Sequence, residues 1–266
     1  MKKLKLAVIG KDVSQSGSPK IHQFIAKRMG NEIDYDKISI PEEEFENSID
    51  PIISSFDGFN VTIPFKLSIM PHLEKICGDA KVFGAVNTVV TRDKSGYNTD
   101  GMGFMMMLEN NGVEVSGKTA LLLGAGGAGR SVAKKLLDGG AKVSVFDMRR
   151  ENIENLCAEF KGITPLEKIE IKEFDIIINA TGVGMHKSEG ISPVGTDLIS
   201  LCGTAVDLIY TPKKSEFLRL AESCGKKIVN GEGMLFYQAY YSECIYFGVR
   251  PSASEAKALF EEFSKE

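Results

Sequence analysis

The segment Asn60-Val-Thr-Ile-Pro-Phe-Lys66 gathers an amide, a hydroxyl and an amine. Apolar and polar residues alternate from Asn60 to Ile63, the period of a strand, so Asn60 and Thr62 are expected on one face. Pro64 stops that strand and Lys66 emerges just past its end, the region where open α/β sheets place ligand chemistry. A lysine there can hydrogen-bond an oxygen on which negative charge develops. Ala85-Val-Asn-Thr88 closes another strand-like run with the amide of Asn87, and Asn98-Thr-Asp-Gly101 puts the carboxylate of Asp100 at the head of a helical stretch. An amine, a carboxylate and amides suit proton transfer on a small polar substrate. Each group also has a plainer reading when taken singly. Lys66 could be a surface lysine, and Asp100 a helix cap.

A second constellation is Leu121-Leu-Leu-Gly-Ala-Gly-Gly-Ala-Gly-Arg130. Gly124, Gly126 and Gly129 form G-x-G-x-x-G between an apolar run and an Ala/Leu/Lys stretch with helical spacing. The first glycine allows the tight turn, the second admits a pyrophosphate, and the third lets the helix lie on its strand. The free N–H groups of the helix start would face the phosphates. Such a loop predicts a dinucleotide cofactor and hydride transfer, without naming a substrate. Asp147 follows at a ribose-length distance, where it could accept from a 2′-hydroxyl and would repel a 2′-phosphate. Arg149 and Arg150 could pair with that phosphate, or could be two surface arginines.

The elements that must position these groups alternate between strands and helices, which predicts an α/β architecture with mainly parallel sheets. Strands are expected over residues 4–10, 33–40, 58–63 and 85–91, with helices over 18–29, from 41 onward and over 65–76. Ser18 reads as an N-cap before Pro19. The glycine loop starts in mid-chain, so what precedes it is a separate part. The boundaries read as residues 1–100 for a substrate-binding and catalytic domain, joined by C-terminal helices 236–266, and residues 101–235 for a Rossmann dinucleotide-binding domain.

The 266 residues carry a net charge of -4, which disfavours nucleic acid as a partner. Five scattered cysteines with no C-x-x-C pair argue against a disulfide framework or a metal site. The basic start leads into only a short apolar run, and no apolar stretch reaches membrane length. The expectation is a cytoplasmic protein with no membrane partner and no metal. Among the histidines, His22 reads as structural, while His72 and His186 fall in polar, loop-like settings.

Taken together and in order, Asn60-Val-Thr-Ile-Pro-Phe-Lys66, Gly84-Ala-Val-Asn-Thr88, Asn98-Thr-Asp-Gly101, Gly124-Ala-Gly-Gly-Ala128, Asn179-Ala-Thr181 and Gly231-Glu-Gly-Met-Leu-Phe-Tyr-Gln238, with Ser16-Gly-Ser18-Pro19 before them, resemble the shikimate dehydrogenase family. The resemblance runs from about Ile9 to Gly248. It implies reversible NADPH-dependent reduction of 3-dehydroshikimate to shikimate, in aromatic amino-acid biosynthesis, by a monomer or homodimer. It further implies Lys66 as the catalytic base/acid with Asp100 as its partner. Ser16, Ser18 and Tyr210 would take the substrate carboxylate, and Asn60, Thr62, Asn87, Asp100 and Gln238 the hydroxyl-bearing ring. Gly124, Ala125, Gly126, Gly127, Ala128, Asp147, Arg149, Arg150, Thr181, Leu208 and Gly231 would hold NADP, with NAD the alternative that Asp147 favours. Two departures touch the cofactor: members commonly carry Asn-Arg-Thr where Asp147-Met-Arg-Arg150 stands, and Gly78 occupies a place where many carry an acid. The competing readings are an NAD-using quinate/shikimate dehydrogenase, a non-catalytic sensor of shikimate-pathway ligands, and a methylenetetrahydrofolate dehydrogenase, which shares the two-domain plan and a catalytic lysine.

Overall fold

The computed structural model describes residues 3–266. Its chain divides into two compact units, one running up to Gly103 and resuming at Phe236–Glu266, the other Phe104–Leu235.

In the first unit β1 (Leu4–Gly10), α1 (Ser18–Arg28), β2 (Ile33–Ser39), α2 (Phe45–Ser55) and β3 (Gly58–Val61) are followed by β4 (Lys75–Ile76), α3 (Asp79–Phe83), β5 (Thr88–Val90) and β6 (Ser95–Tyr97), and α4 (Asp100–Asn110) begins there and carries the chain into the second unit. The six strands are ordered β2-β1-β3-β5-β6-β4. Strand β1 lies parallel to β2 and β3, and β4 is parallel to β6, while β5 is antiparallel to both its neighbours. Along β1, Leu6 and Val8 enter one apolar cluster while Ala7 and Ile9 enter another. That strand is therefore covered on both faces, which explains its unbroken apolar run.

The second unit contains β7 (Thr119–Leu123), α5 (Gly127–Asp138), β8 (Lys142–Phe146), α6 (Arg150–Glu159), β9 (Thr164–Pro165), β10 (Phe174–Asn179), α7 (Thr196–Ile199), β11 (Cys202–Asp207), α8 (Glu216–Ser223) and β12 (Lys227–Val229). Its sheet, ordered β12-β11-β10-β7-β8-β9, is parallel at every pairing. The crossover helices make it the doubly wound arrangement that the alternation of elements requires. The last two helices, α9 (Glu232–Phe247) and α10 (Ala253–Phe263), carry the chain into the first unit.

Several local expectations need correction. No helix spans 65–76; Phe65–Ile69 form turns, Met70–His72 a single 3₁₀ turn, and Lys75–Ile76 a strand. Pro71 lacks the N–H that a continuing helix needs. The strand expected over 85–91 is only Thr88–Val90, because Ala85–Asn87 form a loop. Ser18 is not the N-cap: Gly17 holds that place, and Ser18 begins the helix itself. Thr62 lies one residue beyond β3, although its N–H still donates to the Ile9 oxygen at 2.9 Å and so extends the ladder.

Candidate active site

Lys66 and Asp100 come from distant parts of the chain. The Lys66 ammonium donates to Asp100 Oδ2 at 2.6 Å, with the two side chains 22% and 11% exposed. This is a mostly buried ion pair with one open side. Both ends are fixed by local structure. The Lys66 carbonyl accepts from the Val86 N–H at 2.8 Å, which ties the turn after β3 to the loop before β5. Asp100 is the first residue of α4, and its N–H donates to Asn98 Oδ1 at 3.0 Å.

Asn87 joins the same cluster. Its Nδ2 donates to Asp100 Oδ1 at 2.8 Å and approaches Gln238 Oε1 at 3.5 Å. Its Oδ1 accepts from the Thr88 hydroxyl at 2.8 Å and from the Thr99 N–H at 3.0 Å. Asp100 is thus held by a lysine on one oxygen and an amide on the other. Lys66, Asn87, Asp100 and Gln238 stand together as the sequence predicts.

Asn60 is placed differently from that expectation. It is 6% exposed, and its Oδ1 accepts from the hydroxyls of Tyr35 at 2.7 Å and Tyr246 at 3.1 Å. Its Nδ2 points at the Asn87 carbonyl oxygen, Thr88 Oγ1 and Ser242 Oγ, at 3.1, 3.3 and 3.2 Å. Two acceptor sites and two donor hydrogens are therefore occupied by protein groups. Thr62, two residues on, is half-buried.

Ser16 and Ser18 face each other: Ser16 Oγ donates to Ser18 Oγ at 3.1 Å and accepts from the Ser18 N–H at 3.2 Å. Both are partly exposed at the start of α1. Tyr210 belongs to the second unit, where it is 42% exposed.

Sequence reasoning gave no role to Thr88, Thr99, Ser242, Tyr35 or Tyr246, which hold the amides in place. Thr88 and Thr99 lie inside the recognised motifs. Gln238, Ser242 and Tyr246 recur at every fourth residue, one face of a mostly apolar helix. That polar stripe was the available signal.

In the second unit the glycine loop forms as expected. Gly124 has φ +97°, and a Cβ on Gly129 would lie 2.1 Å from the Gly124 oxygen, so neither position admits a side chain. Helix α5 starts at Gly127 with Gly126 as N-cap, and among the described residues its first turn has no side-chain cap. Those N–H groups are left for a ligand at the helix's positive end, beside the exposed Ala128. A cavity of about 360 Å³ is lined by Gly124, Gly126, Asp147, Arg149 and Thr181, among others. A glycine cradle, a helix N-terminus and an arginine are the donor set a phosphorylated dinucleotide needs, so the residues fit that cofactor. Thr181 is oriented by Asn179, whose Oδ1 accepts from its hydroxyl at 2.6 Å. The Gly231 N–H donates to the Ile209 oxygen at 3.0 Å, closing the loop that also carries Leu208.

The Asp147 carboxylate that lines this cavity is already engaged by protein donors. Its Oδ2 accepts from the Ala125 N–H at 2.8 Å and Asn152 Nδ2 at 3.1 Å, and its Oδ1 from the Arg149 N–H at 2.8 Å. Partial burial pushes this carboxyl up, but the hydrogen bonds and the Arg149 charge outweigh it and hold it below the usual range. Asp147 is thereby a brace between the glycine loop and the β8–α6 turn. The two arginines also separate: Arg149 lines the cavity, while Arg150 pairs with Glu154 at 2.9 Å on the surface.

Among the described residues no cluster of His, Cys, Asp and Glu could hold a metal ion, and no helix is long and apolar enough to cross a membrane.

Comparison with known proteins matches residues 8–89 to the shikimate dehydrogenase substrate binding domain and residues 107–186 to the shikimate/quinate 5-dehydrogenase family. A shikimate dehydrogenase (NADP(+)) of Alkaliphilus oremlandii is 36% identical over 249 residues, 87% of each chain. The crystal structure of a chorismate mutase/shikimate 5-dehydrogenase fusion protein from Clostridium acetobutylicum aligns with TM-score 0.90 at 34% identity, covering 100% of this chain and 98% of that one. Shikimate 5-dehydrogenase from Thermus thermophilus, solved in complex with NADP(H) and shikimate, aligns with TM-score 0.87 at 33% identity, covering 97% and 99%.

Proposed function

The chain belongs to the shikimate dehydrogenase family, and from that membership we propose that Lys66 and Asp100 are its catalytic pair. The reaction is the reversible reduction of 3-dehydroshikimate to shikimate with NADP(H), a step of aromatic amino-acid biosynthesis. The observation that carries the assignment is the 2.6 Å contact between Lys66 Nζ and Asp100 Oδ2, with Asn87 donating to the second oxygen.

When bound, NADPH supplies the hydride. The protein's part is proton handling and orientation. Lys66 Nζ donates to the substrate carbonyl oxygen as negative charge develops there, and gives up a proton as the alcohol forms. In the reverse direction the lysine nitrogen takes that proton. Asp100 keeps the ammonium aimed, because its carboxylate is itself fixed by Asn87 and by the start of α4.

Thr62, Asn87, Asp100 and Gln238 recognise the ring hydroxyls, and a site built from such groups rejects analogues that leave them unpaired. Asn60 is assigned to holding Asn87 rather than to the ring, since its amide is already engaged. Ser16 and Ser18 take the carboxylate as neutral donors to a charged acceptor. The N–H groups at the start of α5 and Arg149 hold the cofactor phosphates, with Arg149 on the 2′-phosphate.

Initial rates with shikimate and quinate, each with NADP and NAD, test this reading. Shikimate with NADP is expected to be the fastest pair. Faster quinate oxidation with NAD would replace it with the catabolic alternative. The working form is taken as a cytoplasmic monomer or homodimer, which light scattering of the purified protein and fractionation of its cells decide.

A further inference from the structure

We propose that His22 and Glu243 are positioning residues for the substrate, a buried pair that sets α1, the carrier of Ser18, against α9, the carrier of Gln238. The inference rests on the reading that Ser16 and Ser18 hold the carboxylate. Both side chains are 0% exposed, and His22 Nδ1 lies 2.6 Å from Glu243 Oε1. The second polar atom of each, His22 Nε2 and Glu243 Oε2, has no hydrogen-bond partner among the described residues. An arrangement that strands two buried polar atoms is a poor way to stabilise a fold. Two apolar side chains of similar volume would be as good or better.

The pair's position supplies the other reason to keep it. His22 follows Ser18 by four residues, so the two share one face of α1. Its ring stacks on Tyr35 with centroids 4.5 Å apart and planes at 24°. The Tyr35 hydroxyl donates to Asn60, which holds the Asn87 loop. Glu243 directly follows Ser242, whose Oγ contacts Asn60 Nδ2 at 3.2 Å, Thr88 Oγ1 at 2.8 Å and Thr99 Oγ1 at 3.2 Å. One hydrogen bond between two helices thus touches the carboxylate end through α1 and the ring end through Tyr35 and Ser242. A shift of α1 along α9 would change the spacing between the serines and the Asn87–Asp100–Gln238 group. Oriented binding is sensitive to displacements of an ångström.

The test compares the wild-type chain with His22→Leu/Glu243→Met, measuring thermal stability and, by calorimetry without cofactor, the shikimate Kd. The apolar pair is expected to melt at or above the wild-type temperature while its shikimate Kd rises by about fivefold or more, the scale of coupling within one network. The NADP Kd stays unchanged. Ser18→Ala is then made in both backgrounds. It should weaken shikimate binding less in the apolar pair, where α1 is no longer registered. A wild-type shikimate Kd in the apolar pair overturns the proposal, and so does an equal Ser18→Ala effect in both backgrounds. Should the double variant not fold, Glu243→Gln is compared with Glu243→Met. Glutamine keeps the hydrogen bond and is expected to restore near-normal shikimate affinity, while methionine does not; equal affinities overturn the proposal. A Ser18→Ala change that leaves wild-type binding untouched sinks the carboxylate assignment instead, and the Kd of the apolar pair still decides whether His22 and Glu243 position the site.

Discussion

The side chain of Asn60 donates to the main-chain oxygen of Asn87 at 3.1 Å, and the side chain of Asn87 donates to Asp100 at 2.8 Å. A buried strand residue therefore reaches the Asp100 carboxylate through one loop residue. The Asn87 N–H and carbonyl are also taken into the sheet, by the Tyr97 oxygen and the Val61 N–H, each at 2.9 Å. With both main-chain groups and both side-chain ends fixed, Asn87 presents its amide to Asp100 in one orientation. That pre-organisation keeps Asp100 Oδ2 aimed at Lys66 without reorganisation during the reaction.

Asn60→Asp tests this arrangement. The replacement removes the donor that faces the Asn87 oxygen, Thr88 and Ser242 while leaving the volume unchanged. A stranded buried acceptor costs about 1–3 kcal/mol, and a carboxylate more, and for a domain of this size each kcal/mol lowers the melting temperature by about 2–4 °C. The melting temperature and kcat are expected to fall together, with KM for shikimate little altered. A normal melting temperature and kcat with a raised KM would instead mean that Asn60 touches the substrate.

Lys66→Ala is expected to lower kcat by about 100-fold or more, the scale of a lost general acid-base group. KM for shikimate should change far less, because Asn87, Gln238 and the serines still hold the ligand. Asp100→Asn keeps the shape and removes the charge opposite the ammonium, so turnover should fall and the pH–rate profile should move. Near-normal turnover by a folded Lys66→Ala protein would remove the lysine from the mechanism.

Much of this was readable in the sequence because local rules and tertiary structure agree. The glycine loop is legible because Gly124 and Gly129 answer to backbone geometry alone. Lys66 and Asp100 are legible only as parts of motifs, since neither residue by itself differs from a surface lysine or a helix cap. The partners of Asn60 were not legible, because alternation places a side chain on a face without saying what already occupies that face. Tyr35 and Tyr246, which fill it, come from β2 and the far end of α9. The bracing by Asp147 was hidden for the same reason: its spacing from the glycine loop is right for a ribose, but its partner N–H groups are invisible in one dimension. The turn over 65–69 resembles a helix because its apolar spacing serves the core, where Phe65 and Ile69 are both buried.

Ser16→Ala and Ser18→Ala each remove a neutral donor to a charged acceptor, worth about 1.5–3 kcal/mol. The loss should fall on KM for shikimate, with kcat nearly intact. Because the two hydroxyls also bond each other at 3.1 Å, the double variant should lose less than the sum of the singles. Normal KM values in both single variants would place the carboxylate elsewhere.

Arg149 and Arg150 are expected to differ. Arg149→Ala should raise KM for NADP and leave KM for NAD unchanged, because only NADP carries the 2′-phosphate. Arg150→Ala should do little, since its exposed pair with Glu154 belongs to a class worth about 0.3–0.5 kcal/mol. Equal effects of the two changes on NADP kinetics would mean that both side chains reach the phosphate.

Asp147→Asn separates repulsion from bracing. If this carboxylate mainly repelled a 2′-phosphate, the change would improve kcat/KM for NADP. The structure argues the opposite outcome. The two oxygens accept from the Ala125 and Arg149 N–H groups and from Asn152, and an asparagine side chain has only one oxygen to offer. One of the two main-chain donors loses its acceptor, the glycine loop and the β8–α6 turn come apart, and KM for NADP should rise by about 2- to 10-fold, the range of one hydrogen bond. The pH dependence of stability gives an independent readout. The Asp147 carboxyl sits below its ordinary value of 3.8 in the folded chain. The proton is therefore bound more tightly in the unfolded state, and the carboxylate's contribution is present above that ordinary value and lost as the pH falls through the folded one. The melting temperatures of wild type and Asp147→Asn should differ by a constant amount between about pH 5 and 8 and converge as the pH falls below 3.8. A gap that persists unchanged into acid, or a kcat/KM for NADP that improves in Asp147→Asn, would return Asp147 to the role of a ribose acceptor that disfavours the 2′-phosphate.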